Sequence, residues 1–166
     1  MTEDIRIGTG FDVHALVSDR PLILGGVNIP WSLGLAGHSD ADVLMHAICD
    51  ACLGALGRGD IGRHFPPGDP AYKDIDSRIL LREVAAMLRN DGYLVSNLDC
   101  TIIAEQPKLA PFIGQMEENV SADLGIDGGR VNIKATTTEG LGFTGRGEGI
   151  AAQASVLISG AASSSD

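Results

Sequence analysis

Asp12-Val13-His14 is the first stretch whose residue types and spacing could do chemistry. In extended backbone, residues i and i+2 point to the same side, so this carboxylate and imidazole can meet on one cation. Alone, such a pair is equally compatible with a surface loop. A second group runs Gly37-His38-Ser39-Asp40-Ala41-Asp42 and leads to His46. Asp42, His46 and Asp50 recur at i, i+4 and i+8, which stacks them on one face of a helix that is otherwise apolar. A metal-bound imidazole usually has a carboxylate behind its other nitrogen, and Asp42 or Asp50 is expected there. Asp12, His14 and His46 together make a set of two imidazoles and one carboxylate with a fourth position open, which suits catalytic zinc. His38 precedes the expected cap of the same helix, where N–H groups and the helix dipole favour an anion, although an ordinary capped helix reads the same way. The third stretch, from Thr136-Thr137-Thr138-Glu139 to Gly145-Arg146-Gly147-Glu148-Gly149, offers hydroxyls, unhindered backbone and one guanidinium. Glycines let backbone approach a ligand closely and Arg grips phosphate oxygens in pairs, so an oxyanion loop and a flexible hairpin turn both remain open. It lacks the G-x-x-x-x-G-K-[ST] pattern of a nucleotide-triphosphate loop and the context of a dinucleotide fingerprint.

The elements that must position these residues can be read from periodicity. Ile5–Ile7 reads as a strand entering a Gly8-Thr9-Gly10 turn, and 22–24 and 27–29 as short strands joined by Gly25-Gly26. Ser39 is the expected cap of a helix with Asp42 at its third position, ending at Gly57. A loop over 59–74 precedes a helix over 76–90, with Gly92 as its stop. Strands are expected over 93–104, 131–136 and 150–158, a helix over 111–123, and a Gly-rich loop over 137–149. Helices alternating with strands imply an α+β fold with α/β-type alternation: a mixed β-sheet with helices packed on one face. One domain over 1–159 fits the length of 166 residues, with a frayed tail over 160–166.

Composition narrows the partners. A net charge of -10 disfavours a nucleic-acid backbone, and leaves a small phosphorylated substrate dependent on metal ions, N–H groups and a few cations. Three cysteines make no secreted disulfide framework. Cys49-x-x-Cys52 lies within helical periodicity without a second pair, so packing is the favoured reading over zinc or redox chemistry. With no apolar leader and no run long enough to span a bilayer, the chain reads as soluble and cytoplasmic, without a membrane partner.

Taken together, Gly10-Phe11-Asp12-Val13-His14, His38-Ser39-Asp40 through His46, Gly59-Asp60-Ile61-Gly62, Asp76-Ser77-Arg78, Ala104 with Pro107-Lys108, and the run Lys134 to Gly149 resemble the 2-C-methyl-D-erythritol 2,4-cyclodiphosphate synthase family. The likeness extends from Ile5 to Ile158 without large gaps. It implies a lyase of non-mevalonate isoprenoid biosynthesis, acting as a homotrimer with active sites between subunits. It implies zinc on Asp12, His14 and His46, the first two also touching substrate, and magnesium or manganese on Glu139 and the substrate diphosphate. His38 and Thr137 match residues that stabilise the transition state, and Ser39 a substrate contact beside His38. Asp60, Ile61 and Gly62 match the segment gripping the erythritol hydroxyls, with Phe65 and Asp69 following in the same loop. Ala104, Pro107, Lys108 and Thr136 match a cytidine-diphosphate pocket. Thr138, Glu139, Phe143 and Arg146 match further substrate contacts, and Arg146 and Glu148 a central channel where an isoprenoid diphosphate is expected. Pro67 stands where the family usually carries a carboxylate, and Glu105-Gln106 where some members carry smaller or neutral residues. Two rival readings use the same residues: a zinc-dependent phosphohydrolase, and a non-enzymatic trimer that binds isoprenoid diphosphates.

Overall fold

Strand β1 (Glu3–Val17) runs uninterrupted through Gly8-Thr9-Gly10, where the sequence suggests a turn. The reason lies in the helix above it. A Cβ built at Gly8 would lie 1.9 Å from the Ala51 carbonyl oxygen, and one at Gly10 would lie 1.9 Å from that of Ala47. The glycines therefore serve close approach rather than a turn. The computed structural model describes residues 3–161. After β1 come β2 (Leu22–Leu24), β3 (Val27–Ile29), β4 (Gly34–Leu35), α1 (Val43–Leu56), the single turn α2 (Ile61–His64) and α3 (Ser77–Asn90). They are followed by β5 (Tyr93–Ile103), α4 (Ile113–Leu124), β6 (Val131–Thr136), the single turn α5 (Gly142–Gly145) and β7 (Gly149–Ala161).

Five strands form one mixed sheet in the order β4-β1-β7-β5-β6, with β2 and β3 as a separate hairpin. Only β5 and β6 run parallel, and the chain between them carries α4. Strand β7 continues past the expected end at 158, because Gly160 and Ala161 pair with Asp4 and Glu3. The remainder of the expected tail, 162–166, lies outside the described residues.

Helix α1 packs on β1 and β7, with α3 and α4 alongside. Val43, Leu44, Met45, Ala47, Ile48, Ala51, Cys52 and Leu53 are all fully buried, as expected of a helix wrapped by sheet and neighbouring helices. Its start differs from expectation. Ala41 takes a left-handed φ of 58°, which stops the helix from reaching Ser39, and Asp42 is the cap. The buried Asp42 carboxylate accepts Met45 N–H at 3.1 Å, and also Gly25 N–H at 3.0 Å and Gly26 N–H at 2.7 Å. Both glycines have positive φ, as a two-residue hairpin turn requires, so one carboxylate joins the β2–β3 hairpin to the start of α1. Burial, then the charge of Asp40, push Asp42 up to about 6 against the pull of those three N–H groups.

At the other end Gly57 (φ 70°) closes α1 as expected. Asp76 caps α3, and α4 begins after a three-ten turn at Ala110–Phe112 rather than at Pro111. All three thiols are buried and unpaired; burial pushes Cys52 up to about 12, which fits packing rather than redox or metal work. The opposite face of the sheet carries no helix among the described residues. Ile5, Ile7 (72% exposed), Phe11 and Leu94 lie open there, with Leu157 beside Ile7.

Candidate metal centre and flanking clefts

Gly8 and Gly10 let α1 settle on β1 so closely that His46, beside Ala47, stands over Asp12 and His14. Asp12 Oδ2 lies 3.0 Å from His14 Nε2 and 3.0 Å from His46 Nδ1, and the two nitrogens are 3.1 Å apart. A tetrahedral ion with bonds near 2.0 Å needs donor atoms about 3.3 Å apart, so the triangle is close to the size zinc demands. Among the described residues this is the one cluster of three such groups suited to a metal.

The tautomer of His14 follows from its surroundings. Its Nδ1 is 2.8 Å from the Ala36 carbonyl oxygen, which can only accept, so Nδ1 carries the proton and Nε2 faces the cluster. Burial alone pushes Asp12 up, but the two imidazoles outweigh it and hold the carboxyl far below its usual range. Burial also opposes charge on His14, yet the Asp12 carboxylate raises its pKa on balance.

The carboxylates expected behind His46 do other work. Asp42 caps α1, and Asp50 accepts the Ile61 N–H at 2.7 Å, holding the start of α2. His46 Nε2 instead meets two hydroxyls, Ser39 Oγ at 3.1 Å and Ser77 Oγ at 2.9 Å. Ser77 and its partner Asp40 belong to the His38-Ser39-Asp40 and Asp76-Ser77-Arg78 stretches, whose spacing alone points to no role beside His46; membership of those motifs is the only signal the sequence carries for them.

The remaining candidates fall into separate clefts. Asp12, His14, His46, His38, Ser39, Ile61, Gly62 and Phe65 line a cavity of about 220 Å³, closed by Pro67, Tyr72, Ile75 and Leu80. His38 is oriented by an Nε2–H bond to the Asp69 carbonyl oxygen at 2.9 Å. The carboxylates of Asp60 and Asp69 turn away into local caps, accepting Arg63 N–H and Ala71 N–H. Ala104, Pro107, Lys108, Thr136 and Thr137 line a second cleft with Glu105. Arg146 lies in a third, with Trp31, and pairs with Glu148 at 3.0 Å; Phe143 is partly exposed on α5. Among the described residues none lines both the first and second clefts. The cross-strand row Asp12–Ala152–Ile102–Ala135 explains the separation. It sets the metal corner three strands, roughly 14 Å, from Thr136.

The loop after β6 is shaped by a residue the sequence marked only as a departure. Glu105 accepts N–H bonds from Thr138 at 3.3 Å and from Gly140 at 3.1 Å. Glu139 sits between them with φ 54°, and its N–H donates to Thr137 Oγ1 at 3.2 Å. Thr138 turns inward, its hydroxyl donating to the Leu141 carbonyl oxygen.

A preformed corner of two imidazoles and one carboxylate, opening into a cleft on a mixed α+β sheet, defines a metal-binding enzyme site. The chain belongs to the YgbB family, whose model matches residues 5–159. It is 64% identical over 162 residues to the 2-C-methyl-D-erythritol 2,4-cyclodiphosphate synthase of Syntrophotalea carbinolica, covering 98% of this chain and 99% of that one. Among solved structures it resembles the bifunctional IspDF of Campylobacter jejuni, with TM-score 0.92 and 44% identity, over 96% of this chain and 43% of that one. It also resembles IspF of Plasmodium falciparum in complex with CDP, with TM-score 0.85 and 33% identity, over 98% of this chain and all of that one. No helix among the described residues is long and apolar enough to cross a membrane.

Proposed function

We propose that the protein converts 4-diphosphocytidyl-2-C-methyl-D-erythritol 2-phosphate to 2-C-methyl-D-erythritol 2,4-cyclodiphosphate and CMP, in the cytoplasm, as a homotrimer. A 2-phosphate oxygen forms a bond to the β-phosphorus, the bond from that phosphorus to the bridging oxygen breaks, and CMP leaves with that oxygen. The nucleophile is already an anion, so no activated serine or cysteine is required, and the task is to neutralise and align two phosphates. The donor set of Asp12, His14 and His46 fits zinc, and Glu139 is the residue offered to magnesium or manganese; bound there, the ions supply Lewis-acid stabilisation of phosphoryl oxygens. Ser39 and His38, beside the metal corner, hold the erythritol phosphate end with Ile61 and Gly62. Lys108 and Thr136 hold the cytidine diphosphate end, and the Thr137 hydroxyl stabilises charge on the equatorial oxygens. The observation that carries the reading is the triangle of three donor atoms, none more than 3.1 Å from another, opening on the cleft that contains His38 and Ser39.

The two halves of the candidate site lie three strands apart on one chain, which supports a site completed by a neighbouring copy. The open apolar face at Ile5, Ile7, Phe11 and Leu94 is the surface offered for that contact, and the exposed Arg146–Glu148 pair is the one offered to an isoprenoid diphosphate in a central channel. Phosphorus NMR of the reaction with zinc and magnesium tests the chemistry. A cyclic diphosphate with stoichiometric CMP is expected. Free phosphate would identify a phosphohydrolase instead, and unchanged substrate a non-catalytic binder.

A further inference from the structure

We propose that Ser77 and Asp40 are positioning residues that set the tautomer of His46, so that its Nδ1 lone pair is held ready for the metal. Asp40 accepts the Ser77 hydroxyl on Oδ1 at 2.5 Å and the Ser77 N–H on Oδ2 at 3.0 Å. An ionised carboxylate has no proton to give, so the single Ser77 hydroxyl proton points at Asp40. Only lone pairs of Ser77 Oγ then remain to face His46 Nε2, 2.9 Å away. Ser77 Oγ therefore calls for a donor at Nε2, against the pull of Asp12 Oδ2 on Nδ1 at 3.0 Å, and a neutral imidazole with its proton on Nε2 presents a lone pair at Nδ1, which faces Asp12 and His14.

Ser39 does not do the same job, although its Oγ is 3.1 Å from the same nitrogen. That hydroxyl accepts the Ala41 N–H at 3.1 Å, and no carboxylate claims its proton. It can rotate and donate to Nε2, which would move the imidazole proton to Nδ1 and block the metal position. Ser77 removes this freedom, and because it is fully buried no water can replace it. Ser77 is also the first residue of α3, so the metal corner and the α1–α3 junction share one chain of hydrogen bonds.

This inference rests on the zinc reading above, and its test separates the two. In zinc-free protein at alkaline pH, where the Asp12 carboxylate pulls the proton toward Nδ1, nitrogen-15 NMR of the imidazoles should show His46 with its proton on Nε2 in wild type and shifted toward Nδ1 in Ser77→Ala. A dominant Nδ1–H form would overturn the assignment. Zinc affinity, measured by competition with a chelator, should fall about 10- to 100-fold in Ser77→Ala and Asp40→Asn, the usual range for losing a group behind a metal ligand. Ser77→Thr, which keeps the hydroxyl, should stay near wild type. Ser77→Ala binding zinc as tightly as wild type would also overturn the proposal. If wild-type protein took up no zinc, the zinc reading would fail, while the spectrum would still decide the tautomer.

Discussion

Replacing Gly10 with alanine adds one methyl group to a residue that has no side chain to ligate anything, yet it should damage both the fold and the metal corner. The new Cβ would lie 1.9 Å from the Ala47 carbonyl oxygen, where real Cβ contacts essentially never fall below 3.0 Å. Gly10 has no positive φ, so space alone is at issue. Helix α1 must then retreat by at least about 1.1 Å, the kind of backbone shift overpacking forces. His46 travels with it, and its 3.0 Å separation from Asp12 Oδ2 grows toward 4.1 Å. Two zinc bonds of about 2.0 Å span about 4.0 Å at most, and only about 3.3 Å at the tetrahedral angle, so one ion no longer bridges the pair. Overpacking of this kind costs about 1–3 kcal/mol, or roughly 3–9 °C in Tm at this chain length. Zinc affinity should fall on the order of 100-fold or more, because disturbing only the groups behind a ligand already costs 10- to 100-fold. Calorimetric unfolding and chelator competition read the two effects. Gly114→Ala is the control: Gly114 lies in the first turn of α4 with nothing within 4 Å of an added Cβ, and it should be neutral or slightly stabilising. A Gly10→Ala variant with wild-type Tm and zinc affinity would refute the claim that glycine spacing places His46.

Arg78→Ala removes a two-pronged ion pair to Asp123, at 2.8 and 2.9 Å, and leaves a carboxylate only 3% exposed with Arg82 at 3.9 Å as its nearest remaining cation. Urea unfolding should register a loss of about 2 kcal/mol. In the metal-free protein, Asp12 is depressed and His14 raised, so their contributions have opposite pH limits. The Asp12 share is present above about pH 4 and is lost as pH falls through its native value; the His14 share is full below about pH 6.5 and is lost as pH rises through its native value. A Tm series should therefore peak between those limits, whereas zinc affinity should climb as pH rises through the His14 titration. Glu105→Ala frees the Thr138 and Gly140 N–H groups and, on the proposed function, should weaken CDP binding about tenfold, or ~1.4 kcal/mol, by titration calorimetry. Ile7→Asp places a charge on the open sheet face; sedimentation should show loss of the proposed trimer with helical circular dichroism retained.

The convergence of Asp12, His14 and His46 into one candidate metal corner was legible because its logic is local. The i, i+2 alternation in β1 holds at Asp12 and His14, and the helical periodicity around His46 survives in α1. What could not be read was which partner each polar group would choose. Asp42 and Asp50 sit on the right helix to support His46, but the N–H groups of Gly25, Gly26 and Ile61 claim them first, and those contacts come from outside the helix. Gly8-Thr9-Gly10 carries a turn composition, and only the approach of α1 explains why it stays extended. The Ser39 cap failed for a related reason: a left-handed residue at Ala41 delays the helix to Asp42. Strand order, and with it the distance between the two halves of the candidate site, depends on long-range pairing that periodicity does not encode.

The three-strand gap between the metal corner and the loop that begins at Thr137 has a genetic consequence. On the proposed reading, one chain lends its metal corner and a neighbour lends its loop, so two individually dead variants carry complementary lesions. Co-expression of His46→Ala with Thr137→Ala would shuffle them into mixed assemblies. Random shuffling would place an undamaged corner against an undamaged loop in about one junction in four of a closed ring. Activity would thus reappear from a blend of two inactive polypeptides, whereas a catalytic unit housed within one chain would stay silent.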